Sequence, residues 1–224
     1  MIEYTLKRSK RKTVAIYVRD GSVEVRAPLR MVKYDIDRFV MSKEKWITDK
    51  LVISNERSAQ RESFILDYNS SLTYRGKQYP IEAREGERAG FDGERFYMPP
   101  KLMPEQIKET GIKIYRLLAK NYLIGRTSEY ALRMSVVPAA VKITGARTRW
   151  GSCSGKKSIN YSWRLIMADD DVIDYIIVHE LAHLTELNHS ERFWKIVENT
   201  LPDYIIRQAR LKELHSKLAT EDWD

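Results

Sequence analysis

Cysteine is almost absent from this 224-residue sequence. Its one copy, Cys153, excludes an internal disulfide and fits a reducing compartment. Long apolar stretches are also missing. No run approaches the 18 residues that a membrane-spanning helix needs, and the opening residues Met1 to Arg8 are too polar for a signal-peptide core. These absences predict a cytoplasmic protein without a membrane partner. Glycine-rich phosphate loops, helix-turn-helix, zinc-finger and RNP-type patterns are lacking too, which argues against a Walker-type nucleotide cradle and against sequence-specific DNA reading. Repeats, low-complexity tracts and long linkers are absent. Histidine is scarce, with four in all, and three of the four fall between positions 179 and 189.

That concentration is informative. His179-Glu180-Leu181-Ala182-His183 places two imidazoles four residues apart, on one face of a helix, where both can bind one cation. Glu180 lies about 100° round from His179 and is positioned for a metal-bound water as general base. His189, six residues after His183, supplies a third ligand. Three protein ligands leave a fourth position open, as a catalytic zinc site requires. The alternative is a buried helix whose histidines are satisfied by carbonyl groups. Asp169-Asp170-Asp171 offers N-cap candidates and charge favourable to the helix dipole. Val172, Tyr175, Ile176, Ile177, Leu181, Ala182 and Leu184 make the helix apolar on more than one face, so it is expected to be buried. Asn188 is a candidate left-handed stop that turns the chain back, and Ser190 a candidate cap for a helix over 191–199. Cys153 reads as a small buried side chain rather than a fourth ligand.

The spacing of the three histidines matches the metzincin proteases, but two further residues exclude that class. Metzincins carry glycine three residues after the second histidine, where this chain has Glu186, and they need a methionine turn downstream, whereas the last methionine here is Met167. Glu186 is either a solvated helix residue or a partner for an imidazole N–H.

The remaining chain reads as α+β, with a strand-rich N-terminal part over 1–100 that includes one long helix, and a catalytic part over 101–224, packed as two domains or one. Periodicity predicts strands across 2–27, with 13–18 and 23–25 around an Asp20-Gly21 turn and Pro28 ending the unit, a helix over 33–63, strands over 71–85 and 95–98, and a long helix over 105–134. Strands over 140–149 and 158–163 then precede the metal helix, and a last helix runs over 204–218 with Asp203 as its cap. Charge is uneven. Gly111 to Arg164 holds eleven Lys and Arg against one acid, Glu129, whereas Leu165 to Ser190 holds six acids and no Lys or Arg. Within the basic stretch Arg147, Arg149, Trp150 and Ser152 are candidate substrate contacts, the guanidinium forks for phosphate and Trp150 for a base. The bland alternative makes the arginines solvated and Trp150 core. Lys7, Arg8, Lys10, Arg11 and Lys12 carry the same ambiguity between solubility and contact with an anionic or nucleic-acid partner.

Three motifs together resemble the YgjP-like metallopeptidase-domain family of metal-dependent hydrolases: Arg8 to Val14, Arg149-Trp150-Gly151-Ser152-Cys153-Ser154, and the His179 to His183 motif with Asn188-His189-Ser190 and Phe193-Trp194. The family's site is similar to that of SprT-like zincins. The resemblance runs over nearly the whole chain. It implies a zincin-like core, Zn²⁺ held by His179, His183 and His189, and Glu180 as general base. The expected function is a zinc-dependent, metallopeptidase-like hydrolase acting on a peptide along an edge strand, for which 158–163 is the candidate. Two alternatives stay open: a metal-dependent nucleoside triphosphate hydrolase (pyrophosphatase) using the basic cleft, and a nucleic-acid-associated protein with little activity.

Overall fold

The computed structural model describes residues 2–86 and 88–223. It is α+β, and the chain divides into two compact units, Met1–Phe64 with Lys217–Asp222, and Ile65–Ser216 with Trp223.

In the first unit β1 (Thr5–Ser9), β2 (Ala15–Arg19) and β3 (Ser22–Pro28) form a sheet with β3 central, parallel to β1 and antiparallel to β2. The β2–β3 turn places Asp20 and Gly21 at φ 46° and 69°, the doubly positive geometry that suits the twist of a two-residue hairpin. Strand alternation puts Val23, Val25 and Ala27 on one face, in a core with Ile36 and Val40 of α1 (Lys33–Ser42) and Ile47 of α2 (Glu44–Glu62). The single helix expected over 33–63 is therefore two. Lys43 leaves helical geometry (φ −112°, ψ 12°), and the bend brings the apolar stripes of both helices to one cluster. Neither proline nor glycine marks that break.

The second unit holds the remaining elements. β4 (Ser71–Tyr74), β5 (Lys77–Ala83), β6 (Gly90–Phe91) and β7 (Phe96–Met98) form a sheet in the order β4-β5-β7-β6. The long α3 (Pro104–Arg133) follows, with Gln106 Oε1 accepting from the Met103 N–H (2.8 Å) at its start. β8 (Ala140–Thr144), β9 (Gly151–Cys153) and β10 (Ser158–Ser162) make a second sheet, and the 3₁₀ turn Trp163–Met167 leads into α4 (Asp170–Ala182), α5 (Glu191–Thr200) and α6 (Tyr204–Leu218).

Three expectations are corrected here. Residues 65–100, expected with the N-terminal part, belong to the second unit. The Arg75 and Gly76 N–H groups donate to the Ile166 and Met167 carbonyls (2.9 and 3.2 Å), and the Phe96 ring meets that of Tyr115 edge-on at 5.6 Å. The strand expected over 140–149 stops at Thr144, and a separate short strand, β9, begins at Gly151. The segment 158–163 is not an edge. β10 is central, parallel to β8 and antiparallel to β9, so the edge beside α4 belongs to β9.

Gly76 is the contact that seats α4. It has φ 76°, and a Cβ there would lie 1.6 Å from Asp169 Oδ1, so the tip of the β4–β5 hairpin can press on the start of the helix only without a side chain. Arg75 forms an ion pair with Asp170, and Arg210 one with Asp171. The acids at the start of α4 thus serve ion pairs. Asp169 occupies the N-cap position without a side-chain capping bond.

Candidate metal centre

α4 is apolar around most of its circumference, and Val172 to Val178, Leu181 and Ala182 are buried. The two buried polar side chains on it have separate roles. Asp174 accepts from Arg126 Nε and Nη2 (2.7 Å each) and from the Tyr130 hydroxyl (2.8 Å), which ties α4 to α3. Glu180, 5% exposed, points to β9.

The helix ends at His183, where the Leu184 and Thr185 N–H groups reach back to Leu181 and Ala182 in three-residue steps (3.0 and 3.1 Å). The return to His189 does not use a left-handed Asn188. Its side chain instead accepts from the Ser190 N–H (3.1 Å), and Ser190 Oγ caps α5 by accepting from the Phe193 N–H (3.4 Å). This pair of short polar links fixes the turn that His189 occupies.

The outcome is convergence. One ring nitrogen each of His179, His183 and His189 lies within 4.8 Å of the others. The Nε2 atoms of His179 and His189 are 3.1 Å apart. Two nitrogens bound to one tetrahedral ion at zinc-like bond lengths would be separated by about 3.3 Å, so the donor set fits such an ion. Phe193 lies beneath all three rings, with centroids 4.9, 4.5 and 4.8 Å from those of His179, His183 and His189. His183 Nδ1 meets the Glu186 carbonyl at 3.0 Å. Glu186 therefore orients an imidazole, through its backbone and not through its carboxylate. Trp194 stacks on His189 at 5.8 Å and on Tyr204 of α6 at 5.4 Å.

Electrostatics favour neutral ligands. Burial, reinforced by the other two histidines, lowers the His179 pKa to about 3, and burial also lowers that of His183. Burial raises Glu180 to about 7, against the weaker opposing effect of Arg149. Among the described residues Glu180 Oε2 is buried without a hydrogen-bond partner, and His179 Nδ1 is likewise unpartnered. A carboxylate left in that condition beside three metal-competent nitrogens is matched to a proton that comes and goes.

β9 is the wall opposite. A Cβ on Gly151 would stand 2.6 Å from Glu180 Oε1, and Cys153, on the same face of the strand, feels the Glu180 charge. Cys153 is half-buried and outside the ligand group. Arg149 is exposed and close enough to act on Glu180, whereas alternation turns Trp150 and Ser152 to the other face of the strand, where the Trp150 ring meets His215 of α6 edge-on at 6.2 Å. Arg147 is exposed in the loop before them. Arg147, Arg149, Trp150 and Ser152 are thus not gathered on one surface. The sequence reading missed the closeness of Gly151 to Glu180; the signal was a glycine inside the tract that also carries Arg149.

The sequence matches the YgjP-like metallopeptidase domain over residues 12–214, and the chain belongs to that family. Among solved structures it is similar to the metallopeptidase zymogen abylysin of Pyrococcus abyssi, at 21% identity and a TM-score of 0.39, covering 44% of this chain and 97% of that one. It is also similar to the zymogen jannalysin of Methanocaldococcus jannaschii, at 18% identity and a TM-score of 0.37, covering 41% and 94%. No curated protein matches. No helix among the described residues is long and apolar enough to cross a membrane.

Proposed function

We propose that this protein is a zinc-dependent, peptidase-like hydrolase with Glu180 as its general base, acting in the cytoplasm. The observation that supports it most is the pairing of three converging imidazole nitrogens with the buried, partnerless Oε2 of Glu180. His179, His183 and His189 would hold the ion, and when bound it supplies Lewis acidity and a lowered pKa for water. Glu180 accepts the proton of the attacking water and returns it to the leaving amine. The outer edge of β9 offers unpaired backbone groups to an extended peptide, which would add as a further strand.

The triphosphate reading draws on the local positive charge. It is weakened by Trp150 and Ser152 lying on the strand face away from Glu180. A panel of casein-derived peptides and the four ribonucleoside triphosphates, run with chelator and with Glu180→Gln, separates the two. We expect chelator-sensitive peptide cleavage, and a Glu180→Gln variant that retains zinc while turnover falls about 10²- to 10⁴-fold. Triphosphate hydrolysis without peptide cleavage, or undiminished turnover in the variant, would overturn the proposal.

A further inference from the structure

The tract of chain that carries the sheet beside the site is basic. Between Tyr130 and Ala168 the chain has seven Lys and Arg and no acid. Most of the acids that follow, on α4, are already engaged: Asp170 by Arg75, Asp171 by Arg210, and Asp174 by Arg126. Three cations bracket β9. Arg149 precedes the strand by two residues. Lys156 and Lys157 form the tip of the turn into β10, closed by the Lys157 N–H to the Ser154 carbonyl (2.8 Å) with Lys157 at φ 58°. All three are exposed, and none of them forms an ion pair or a side-chain hydrogen bond among the described residues. Arg149 lies close enough to Glu180 for the two charges to interact.

A charged side chain held at an active-site edge without a partner is available to a substrate. Resting on the peptidase reading above, we infer that the preferred substrate is an extended peptide bearing acidic side chains on both flanks of the scissile bond, one flank meeting Arg149 and the other Lys156 and Lys157. β9 itself spans about 10 Å at ~3.3 Å per residue, so it pairs with about three substrate residues and the cations lie just beyond it. The peptide backbone pairs with β9, whose first and last residues, Gly151 and Cys153, lie on the face towards Glu180, so the reacting bond sits between them and the cations beyond the two ends. Acids placed about two residues either side of the cleaved bond meet the cations. Lysines in the same places would meet like charge, which discriminates as strongly as the attraction does.

The test uses the zinc-loaded full chain and internally quenched peptides that differ only in carrying Glu, Gln or Lys at two positions on each flank. Values of kcat/KM should rank Glu above Gln above Lys, with Glu over Gln by about five- to tenfold for several exposed pairs acting together. The difference should lie in KM and should shrink between 50 and about 300 mM salt. Charge reversal in Lys156→Glu/Lys157→Glu should bring the Glu-to-Gln ratio to one or below. Peptides cleaved with no charge ranking, or with a ranking indifferent to salt, would overturn this inference and leave the peptidase reading standing. Cleavage of no peptide of any charge would remove both. The salt series on the unmodified protein keeps the test decisive even if the double variant does not fold.

Discussion

Gly151 and Glu180 occupy a space with no room for one more carbon. A Cβ on Gly151 would lie 2.6 Å from both Cγ and Oε1 of Glu180 and 2.8 Å from its Cδ. The carboxylate is thus held against bare backbone, which sets its distance from the three imidazoles. Gly151→Ala should displace Glu180, the proposed general base, by about an ångström without touching a candidate ligand. Turnover should fall roughly 10²-fold, the usual penalty for a misplacement of that size, with zinc content unchanged. Metal analysis beside single-turnover kinetics checks it. A fully active alanine variant would mean that Glu180 is not positioned by this contact.

His189 is the exposed member of the candidate ligand trio, and its ring is oriented by stacking, since among the described residues its one close polar contact is with His179 Nε2. Trp194 lies 5.8 Å from it at 29°, and Tyr204 backs Trp194 at 5.4 Å and 20°. Trp194→Ala should weaken zinc binding by about 10- to 100-fold, the range found when outer partners of metal ligands are removed. Trp194→Phe should restore most of it. Chelator competition gives both affinities. Equal values for alanine and wild type would show that the turn at Asn188 and Ser190 orients His189 unaided.

The site was more legible in the sequence than the fold around it, and the reason is distance along the chain. His179, Glu180 and His183 lie within one and a half helical turns, so helical geometry alone predicts their convergence. His189 needed only a turn of a few residues. β9 could not be read in this way: three residues carry no periodicity, and their strand state comes from pairing with β10. The break at Lys43 was invisible because the tertiary core, not a helix breaker, dictates it. Residues 65–100 were grouped with the wrong unit because the bonds from Arg75 and Gly76 to Ile166 and Met167 join positions about 90 apart in sequence.

Asp174 holds α4 to α3 from inside the protein, with both oxygens engaged by Arg126 and one by Tyr130 as well. Asp174→Ala would take the acceptor from the Tyr130 hydroxyl and from two Arg126 nitrogens, while Arg126, whose side chain is 32% exposed, keeps Glu129. The expected loss is about 1–3 kcal/mol of folding stability. Chemical denaturation of the metal-free protein reads it directly. A loss under about 1 kcal/mol would place this pair in the range of surface ion pairs.

The protonation of Glu180 should be visible in stability once the metal is removed. Its pKa is near 7 in the folded protein against an ordinary 4.5, because burial opposes the charged form. Between those values the folded state binds more protons than the unfolded state, so this group's contribution is fully present below pH 4.5 and is lost as pH rises through 7. At pH 8 the loss amounts to about 3 kcal/mol. Glutamine cannot ionise, so metal-free Glu180→Gln should exceed metal-free wild type by about that amount at pH 8, with the difference vanishing near pH 4. His179 has the opposite slope. Its pKa falls from 6.5 to about 3 on folding, which makes stability rise with pH across that window. That slope is common to both proteins and cancels in their difference. Urea titrations of the two metal-free proteins from pH 4 to pH 8 isolate the carboxylate, and a difference that stays flat across the series would mean that Glu180 is ionised throughout.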